Sequence, residues 1–449
     1  MVAFLAIHLL GSCASDTEAE PKFNKTPVER LNEQKSELNT ALLASEFGWK
    51  AVYFTDDTQL GGYTHLFKFS ADGKVQMASD FDDDTATYES TYNVVLGSTI
   101  SLVFDTYNRI HLLSDSNSFP TNALRGKGYL GDFQFLYYGQ ENGDILFKSN
   151  RLVREIRFVK ATAQDWTDLP KNLDMEQNVI GGAGRPLFRS LETNDGTATR
   201  IYDFSFSPAS RFAISKSVEV GSSDVIDMGV GYNPTGIVVS PAVEVGGQKL
   251  TNFVYNSVDG SFTSKGTNGA SATIKYSSTP LVLTDDYKIL LPANANVVYG
   301  HDRSILTLAS TNSPLFISLF RKVEAALPAG TVMTRVQPYF NTPTGSYIEY
   351  RLVASNGAVT RVYHFFTLTS DAQKKTITLN ATPQWRAGST FANSVPIAAP
   401  AFLKDLDDQL TNPAGLYFKR ENFTVGATNA VYTFTAVSGP FRMTTWAFQ

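Results

Sequence analysis

Alternation of polar and apolar side chains begins at Trp49 and dominates the chain from there on. Segment 64–69 (Thr-His-Leu-Phe-Lys-Phe) alternates in this way, Asp72-Gly73 follows as a turn, and the alternation resumes at 75–77. A period of two between Gly, Asp and Asn turns is typical of half-buried β-strands, and Asp-Gly between two such runs indicates a hairpin. The pattern predicts eight or nine short strands within 49–160, among them strands at 100–104, 109–113, 133–138 and 144–147.

Two segments depart from the alternation and favour helices. Thr26 and Glu29 form a capping box in which Thr26 caps the first turn, and Pro27 occupies the first helical position. Apolar residues follow at helical spacing, and Gly48 marks the expected end. Segment 314–327 is an unbroken apolar run that suits a helix or a buried strand, and its Ala-Ala-Leu end favours the helix.

We therefore expect a mainly β fold with about three antiparallel β-meander units, each a lipocalin-like barrel or a sandwich, joined by short helices. Closing a meander into a barrel removes its exposed edges. Segment 199–204 resembles 360–365 and, more faintly, 64–69, which favours related units; convergent strand-and-turn chemistry is the alternative. The predicted organisation is a signal peptide with a lipobox at 1–13, a linker at 14–25, a helix with the first β unit at 26–160, a helical linker at 161–184, the second β unit at 185–312, and a helix with the third β unit at 313–449.

The N-terminus carries the clearest signal in the chain. An apolar run at 2–10 is too short to span a bilayer, which needs about 20 residues, but it suits the core of a signal peptide. Leu10, Gly11, Ser12 and Cys13 follow, and this order resembles a bacterial lipobox in which the cysteine thiol is acylated. A buried free cysteine after an apolar strand is the alternative, and no Lys or Arg precedes the run. The acidic stretch at 14–20 predicts exposure at the cell surface, or else a simple soluble tether.

Composition and motifs exclude several classes of function. With 38 basic against 43 acidic residues, the chain has no positive field that would suggest a nucleic-acid partner. Cys13 is the only cysteine, so no disulfide forms within the chain. The five histidines include no His-Glu-x-x-His arrangement, and neither a Gly-x-Ser-x-Gly elbow nor a phosphate-binding loop occurs. The sequence therefore favours a non-enzymatic protein without a cofactor, although a hydrolase acting through dispersed carboxylates stays open.

A few acidic and aromatic residues remain as candidate sites. The densest acidic cluster contains Asp80, Asp82 and Asp84, which is a weak calcium candidate beside the simpler interpretation of a solvated loop. Tyr107, Tyr137 and Tyr138 flank predicted turns and are candidate ligand-binding residues, beside the interpretation that they are core residues. Since adjacent strand residues face opposite sides, we expect one of Tyr137 and Tyr138 to be exposed. A barrel interior is a further place for a small ligand.

The chain also resembles a known family. It is similar to the Bacteroidota lipoproteins grouped as domain-of-unknown-function family 4302, densely over 10–160 and vaguely beyond. The resemblance implies a position near SusC/SusD-type outer-membrane importers and near lipoproteins that resemble zinc metallohydrolases, and it carries over no site residues. It rests on Phe-Asn-Lys-Thr-Pro-Val-Glu-Arg-Leu at 23–31, Gly-Gly-Tyr-Thr at 61–64, Asp-Gly-Lys-Val at 72–75, Phe-Asp-Thr-Tyr-Asn at 104–108 and Gly-Asp-Phe-Gln-Phe at 131–135.

The expected function combines these observations. We expect a lipoprotein of the outer membrane, anchored through lipid on Cys13 and exposed at the cell surface. Its expected role is that of an accessory or binding protein of a nutrient or glycan uptake system, with SusC/SusD-type importer components as partners. The hydrolase of glycans or peptides is the alternative, and a purely structural surface protein is a third.

Overall fold

A computed structural model describes residues 25–97, 99–181 and 185–448. The predicted lipobox, with Cys13 at its end, lies outside the described residues. The described chain folds into three rings of antiparallel strands, arranged in chain order and joined by short helices. This confirms the mainly β fold and the β-meander units joined by short helices.

The first ring is a closed barrel in which each strand pairs with the next and the last pairs with the first. The side chains alternate along its strands: in the first strand every second side chain is buried. Aromatic side chains fill the interior, where the rings of Phe67 and Phe158 lie 4.8 Å apart and those of Phe67 and Phe104 lie 5.3 Å apart. The interior is thus a packed core, not the ligand cavity considered from the sequence. The strands are β1 Trp49–Phe54, β2 Gly62–Phe69, β3 Lys74–Ser79, β4 Tyr88–Leu96, β5 Ile100–Phe104, β6 Gln134–Glu141, β7 Asp144–Ser149 and β8 Glu155–Lys160.

Helix α1 (Pro27–Leu43) packs against this barrel. The predicted capping box is present, because the Thr26 side chain accepts from the backbone N–H of Glu29 and the Glu29 carboxylate accepts from that of Thr26. Leu38 and Leu42 are fully buried, and the indole N–H of Trp49 donates to the Leu42 carbonyl at 2.9 Å. The helix ends before Gly48, which instead has a positive φ in the turn into β1.

One predicted strand of the first unit is a helix. Residues 109–113 lie in a 3₁₀ helix, Arg109–Ser114, between β5 and β6. Ile110 and Leu113, three residues apart, are its fully buried apolar side chains. This spacing suits a turn with three residues per turn better than a strand. The prediction of a strand here was wrong because a short run supports both periods.

Two helices, α2 (Ala163–Asp168) and α3 (Lys171–Ile180), lead to the second closed barrel. Here too consecutive strands pair, and the first strand pairs with the last. Its strands are β9 Phe188–Asp195, β10 Thr199–Ser207, β11 Phe212–Ser217, β12 Val225–Asn233, β13 Gly236–Val245, β14 Gln248–Tyr255, β15 Phe262–Lys265 and β16 Ala270–Ser277.

The third sheet also closes. Strand β17 pairs with β18 and with the last strand, and β20 pairs with β21, so eight strands form a ring and short β22 is added beside β21. Helix α4 (Pro314–Ala326) confirms the helix predicted at 314–327, and helix α5 (Lys404–Leu410) precedes β23. The strands are β17 Val297–Asp302, β18 Val332–Thr342, β19 Gly345–Val353, β20 Val359–Asp371, β21 Thr376–Gly388, β22 Val395–Ile397, β23 Leu416–Arg420, β24 Val431–Ala436 and β25 Arg442–Phe448.

The third unit begins earlier than the sequence suggested. Strand β17 precedes α4 and belongs to the third ring, whereas the predicted boundary placed 297–312 in the second unit. The similar segments 199–204 and 360–365 lie on the second strand of the second ring and on the fourth strand of the third. The architecture repeats, but these two segments lie at different places in the order of strands within their rings.

The first two barrels pack closely through β2 and β12. The backbone N–H of Gly61 donates to the Ser210 carbonyl of the second barrel at 2.8 Å. A Cβ atom on Gly229 would lie 2.4 Å from the Leu60 carbonyl oxygen, and one on Gly61 would lie 2.3 Å from that of Arg211. Glycine is required at both positions because backbone meets backbone there.

Candidate functional site

The first barrel carries an exposed stack of rings on its outer surface. Tyr107, His111 and Phe133 form this aromatic stack: the His111 ring lies 4.7 Å from that of Phe133 and 5.5 Å from that of Tyr107. Tyr107 is 68% exposed and Phe133 is 41% exposed. Large apolar side chains that stay open to solvent in a contiguous group mark interaction sites more often than single ones do.

Asn108 holds the aromatic stack in place. Its side-chain oxygen accepts from the N–H of Arg109 at 2.7 Å, and its amide donates to the Ser90 hydroxyl at 2.8 Å. Its backbone N–H donates to Nδ1 of His111 at 3.2 Å. Burial lowers the pKa of His111, against the hydrogen bonds that raise it, so the ring is neutral at pH 7. The stack therefore offers uncharged ring faces, supported by a buried amide.

Polar groups border the stack. The guanidinium of Arg109 pairs with Asp82 and lies 3.7 Å from Asp84, and the Tyr88 hydroxyl donates to Asp84 at 2.7 Å. Asn108 donates to the Tyr88 carbonyl, which places Tyr88 and its acidic partner beside the stack. The surface thus combines apolar ring faces with carboxylates and a phenol.

The structure does not bring together Asp80, Asp82 and Asp84, the weak calcium candidate of the sequence. Asp82 and Asp84 share Arg109, whereas Asp80 is fully buried and faces another part of the molecule. Within the described ranges no cluster of three or more His, Cys, Asp or Glu could hold a metal ion. Arginine side chains balance these carboxylates.

Tyr137 and Tyr138 separate as their adjacent positions predict. Tyr137 is buried and its hydroxyl donates to Glu37 of α1 at 2.7 Å, so it attaches the helix to the barrel. Tyr138 is 56% exposed, and the Lys148 ammonium lies 4.4 Å from the centre of its ring. In the described part of the chain, no ring contact joins Tyr138 to the aromatic stack. Of the three candidate tyrosines, Tyr107 and Tyr138 are accessible and Tyr137 is not.

A buried ionic junction connects the first two barrels, and no local sequence pattern pointed to it. Asp80 accepts from Arg211 at 3.0 Å, from the Thr64 N–H at 2.9 Å and from the Asn172 amide at 2.8 Å. The Arg211 guanidinium lies between the rings of Tyr63 and Tyr232, 4.3 Å and 4.5 Å from their centres. Arg211 itself adopts a positive φ in the β10–β11 turn. Its separation of 131 residues from Asp80 explains why the sequence did not reveal the pair.

Beside this ionic junction is a cleft of about 490 Å³ between the first barrel, the linker helices and the second barrel. Asn172 lines it, and the side-chain oxygen of Asn172 has no hydrogen-bond partner in the described residues. Glu176 of α3 lies 3.4 Å from Arg211, and burial raises the pKa of its carboxyl. Two acids thus converge here, but both face Arg211, and Asp80 has no exposed surface.

The third barrel contains a buried His–Asp contact that resembles part of a catalytic triad. Nδ1 of His364 bonds to Asp407 at 2.8 Å, and Nε2 bonds to the Thr382 carbonyl at 3.0 Å. Tyr350 donates to the same carboxylate at 2.7 Å. Because both ring nitrogens are occupied and all three side chains are buried, this group stabilises the core and has no nitrogen free to act as a base.

Comparison with known proteins adds one family. No curated protein matches the chain. Among solved structures, a DNA polymerase sliding clamp from Bacillus subtilis aligns with 92% of this chain and 97% of its own at 9% identity, but the TM-score is 0.16. None of the helices that the structure describes combines the length and apolar character needed to traverse a bilayer. Residues 19–257, more than half of the chain, match the domain of unknown function DUF4302. The matched segment ends within the second barrel. The chain therefore belongs to the DUF4302 family.

Proposed function

We propose that this protein is a lipid-anchored, surface-exposed lipoprotein of the outer membrane. In this proposal it binds a glycan as a non-enzymatic accessory subunit of a SusC/SusD-type nutrient uptake system. The observation that carries the binding role is the exposed aromatic stack on the first barrel. The lipobox, the acidic stretch after Cys13 and the family resemblance support the location.

The chemistry of the stack suits a sugar. The C–H faces of a pyranose ring pack on aromatic faces, and the stack offers Tyr107 and Phe133 for this contact. Sugar hydroxyls need hydrogen-bond acceptors beside that face, and Asp82, Asp84 and the Tyr88 hydroxyl supply them. A rigid support lowers the entropy lost on binding, and the Asn108 hydrogen bonds provide it.

The hydrolase alternative has less support. Hydrolysis of a glycosidic bond requires two carboxyl groups that both face the substrate. The acids that converge beside the cleft, Asp80 and Glu176, are both directed at Arg211. The packed interior of the first barrel likewise favours a ligand on the outer surface.

A glycan array followed by calorimetric titration tests the binding role. We expect Tyr107→Ala in the full mature chain to weaken glycan binding about tenfold, since an aromatic contact contributes about 0.5–1.5 kcal/mol and 1.4 kcal/mol is a factor of ten. Tyr138→Ala is the matched control, because it removes another exposed tyrosine of the same barrel that lies outside the stack. No binding by the wild-type protein, or equal loss in both variants, would contradict the proposal.

The location has its own test. Cells grown with a labelled fatty acid should label the wild-type protein and not Cys13→Ala, and the variant should leave the membrane fraction. Affinity purification of the native protein should recover importer components. Equal labelling of wild type and variant would exclude the lipid anchor and would leave the glycan measurement unaffected.

A further inference from the structure

Three arginines lie side by side on the outer face of the third barrel. Arg335 of β18 is the cross-strand partner of Arg351 of β19, and Arg351 is the partner of Arg361 of β20. Their neighbours Val336, Tyr350 and Val362 are buried in the core. Since strand side chains alternate between faces, the arginines point outward together. We name these three residues the arginine row.

The two outer arginines of the row are paired and the central one is not. Nε of Arg335 lies 2.9 Å from Asp302, and Nε of Arg361 lies 3.4 Å from Glu349. Nε of Arg351 is buried and has no hydrogen-bond partner in the described residues, and no carboxylate there lies within 4 Å of its guanidinium. Three guanidiniums face two carboxylates, which leaves one positive charge at the centre of the row.

This arrangement is costly as it stands. Like charges directly opposite one another across a strand pair are destabilising, and a buried donor without an acceptor costs about 1–3 kcal/mol. The protein as a whole is negative, at −5, so the arginine row is a local exception. One anion bound at the outer end of the guanidinium would neutralise the excess charge.

Aromatic rings continue the same face. The rings of Tyr339 and Tyr347, cross-strand partners on β18 and β19, are stacked at 4.7 Å, and that of Tyr363 meets Tyr347 at 5.5 Å. Along β19, Glu349 stands between Tyr347 and Arg351 on this face. Its negative charge disfavours a ligand with a second anionic group near the first.

We infer that Arg351 binds the carboxylate of a small monoanionic compound, for which a hexuronic acid serves as the probe. The planar guanidinium matches a carboxylate through two parallel hydrogen bonds, and the neighbouring Glu349 disfavours the additional negative charge of phosphate. Of the tyrosines, Tyr347 and Tyr363 are buried beside Phe391 and only Tyr339 keeps part of its surface open, so the ligand contact rests on the guanidinium. This site lies on a different barrel from the aromatic stack and does not depend on the proposed function.

Calorimetric titration of the full mature chain with glucuronate, glucose and inorganic phosphate tests the inference. We expect glucuronate to bind, glucose to give no signal, and phosphate to bind more weakly. Arg351→Met should weaken glucuronate binding at least tenfold, and Arg351→Lys, which keeps the charge but lacks the planar pair of donors, should fall between. Arg321→Met is the matched control, since it removes an exposed arginine of α4 in the same unit.

Stability separates a binding arginine from a structural one. Because Arg351→Met removes an unbalanced charge, the ligand-free variant should be at least as stable to urea as wild type. A less stable variant would assign Arg351 a structural role and would overturn the inference. So would phosphate binding as tight as glucuronate, absence of glucuronate binding, or an equal loss in Arg321→Met.

Discussion

Buried histidines show how strongly the surroundings of a single residue set its chemistry. His65 and His301 are both fully buried. In each, Nδ1 bonds to a backbone carbonyl, that of Tyr63 at 3.2 Å and that of Thr444 at 2.8 Å. Among the described residues, Nε2 of neither ring has a hydrogen-bond partner. A proton added to Nε2 would find no acceptor, and burial lowers the pKa of each ring to about 4.

This makes the folded protein sensitive to acid. The pKa of histidine in the unfolded chain is about 6.5, so below that pH the unfolded state binds protons that the folded state refuses. The contribution of each neutral ring to the free energy of unfolding is fully present above pH 6.5. It is lost as the pH falls toward 4, by on the order of 3 kcal/mol for each ring. Urea denaturation from pH 7 to pH 4 measures this loss.

The variant His301→Asn removes the titration of one of the two rings. The asparagine amide does not titrate, and it keeps a donor for the Thr444 carbonyl. We expect it to be less stable than wild type at pH 7, since the ring contact with Phe316 at 4.7 Å is lost. Its further loss between pH 6.5 and pH 4 should be shallower. Parallel pH profiles for wild type and variant would refute this explanation.

At the scale of elements, short local signals decided helices and turns, and contacts between elements decided the rest. The capping box of Thr26 and Glu29 began α1 as expected. The segment at 109–113 was ambiguous because so short a run supports both periods, although its two buried apolar residues, three apart, suit the 3₁₀ turn. Glycine is needed at 61 and 229 only because the two barrels pack there through β2 and β12.

Gly229→Ala tests that contact. The added methyl group would lie 2.4 Å from the Leu60 carbonyl oxygen, so the two barrels must shift apart. We expect a loss of about 1–3 kcal/mol in the free energy of unfolding, measured with urea. Gly97→Ala is the control, since its nearest contact would be an ordinary 3.5 Å. Equal stability of the two variants would mean that the barrels do not depend on this approach.

At the scale of the whole molecule, the first two barrels form one ionic and aromatic unit. Arg211 bonds to Asp80 and to the Gly62 carbonyl of the first barrel, and to Glu176 of the linker helix. It thereby connects three consecutive parts of the chain through one side chain. The unfolding of the two barrels should therefore be coupled.

Arg211→Met tests this coupling by differential scanning calorimetry and urea denaturation. Because Asp80 is left charged and buried, we expect a loss of about 3–5 kcal/mol. Asp80→Asn in the same chain should restore part of it. Arg154→Met removes a partly exposed arginine from Asp56 and Asp57 and should cost at most about 1 kcal/mol, because Asp56 keeps its hydrogen bonds from Thr58 and Gln59. Equal losses in the two arginine variants would exclude a special role for Arg211.

The sequence by itself determined the features that depend on near neighbours. Alternation with a period of two made the chain mainly β, because a strand buries every second side chain whichever partner it finds. Caps and turns located α1 and α4, because their hydrogen bonds close within a few residues. The opposite faces of Tyr137 and Tyr138 followed from the same local geometry.

Only the tertiary structure decided what depends on distant segments. It closed the rings by pairing β1 with β8 and β17 with β25, and it placed β17 in the third unit. It separated Asp80 from Asp82 and Asp84, which the sequence presents as one cluster, by pairing it with Arg211 of another barrel. Contacts across 131 residues leave no local pattern, because each partner is chosen by packing and by charge in space.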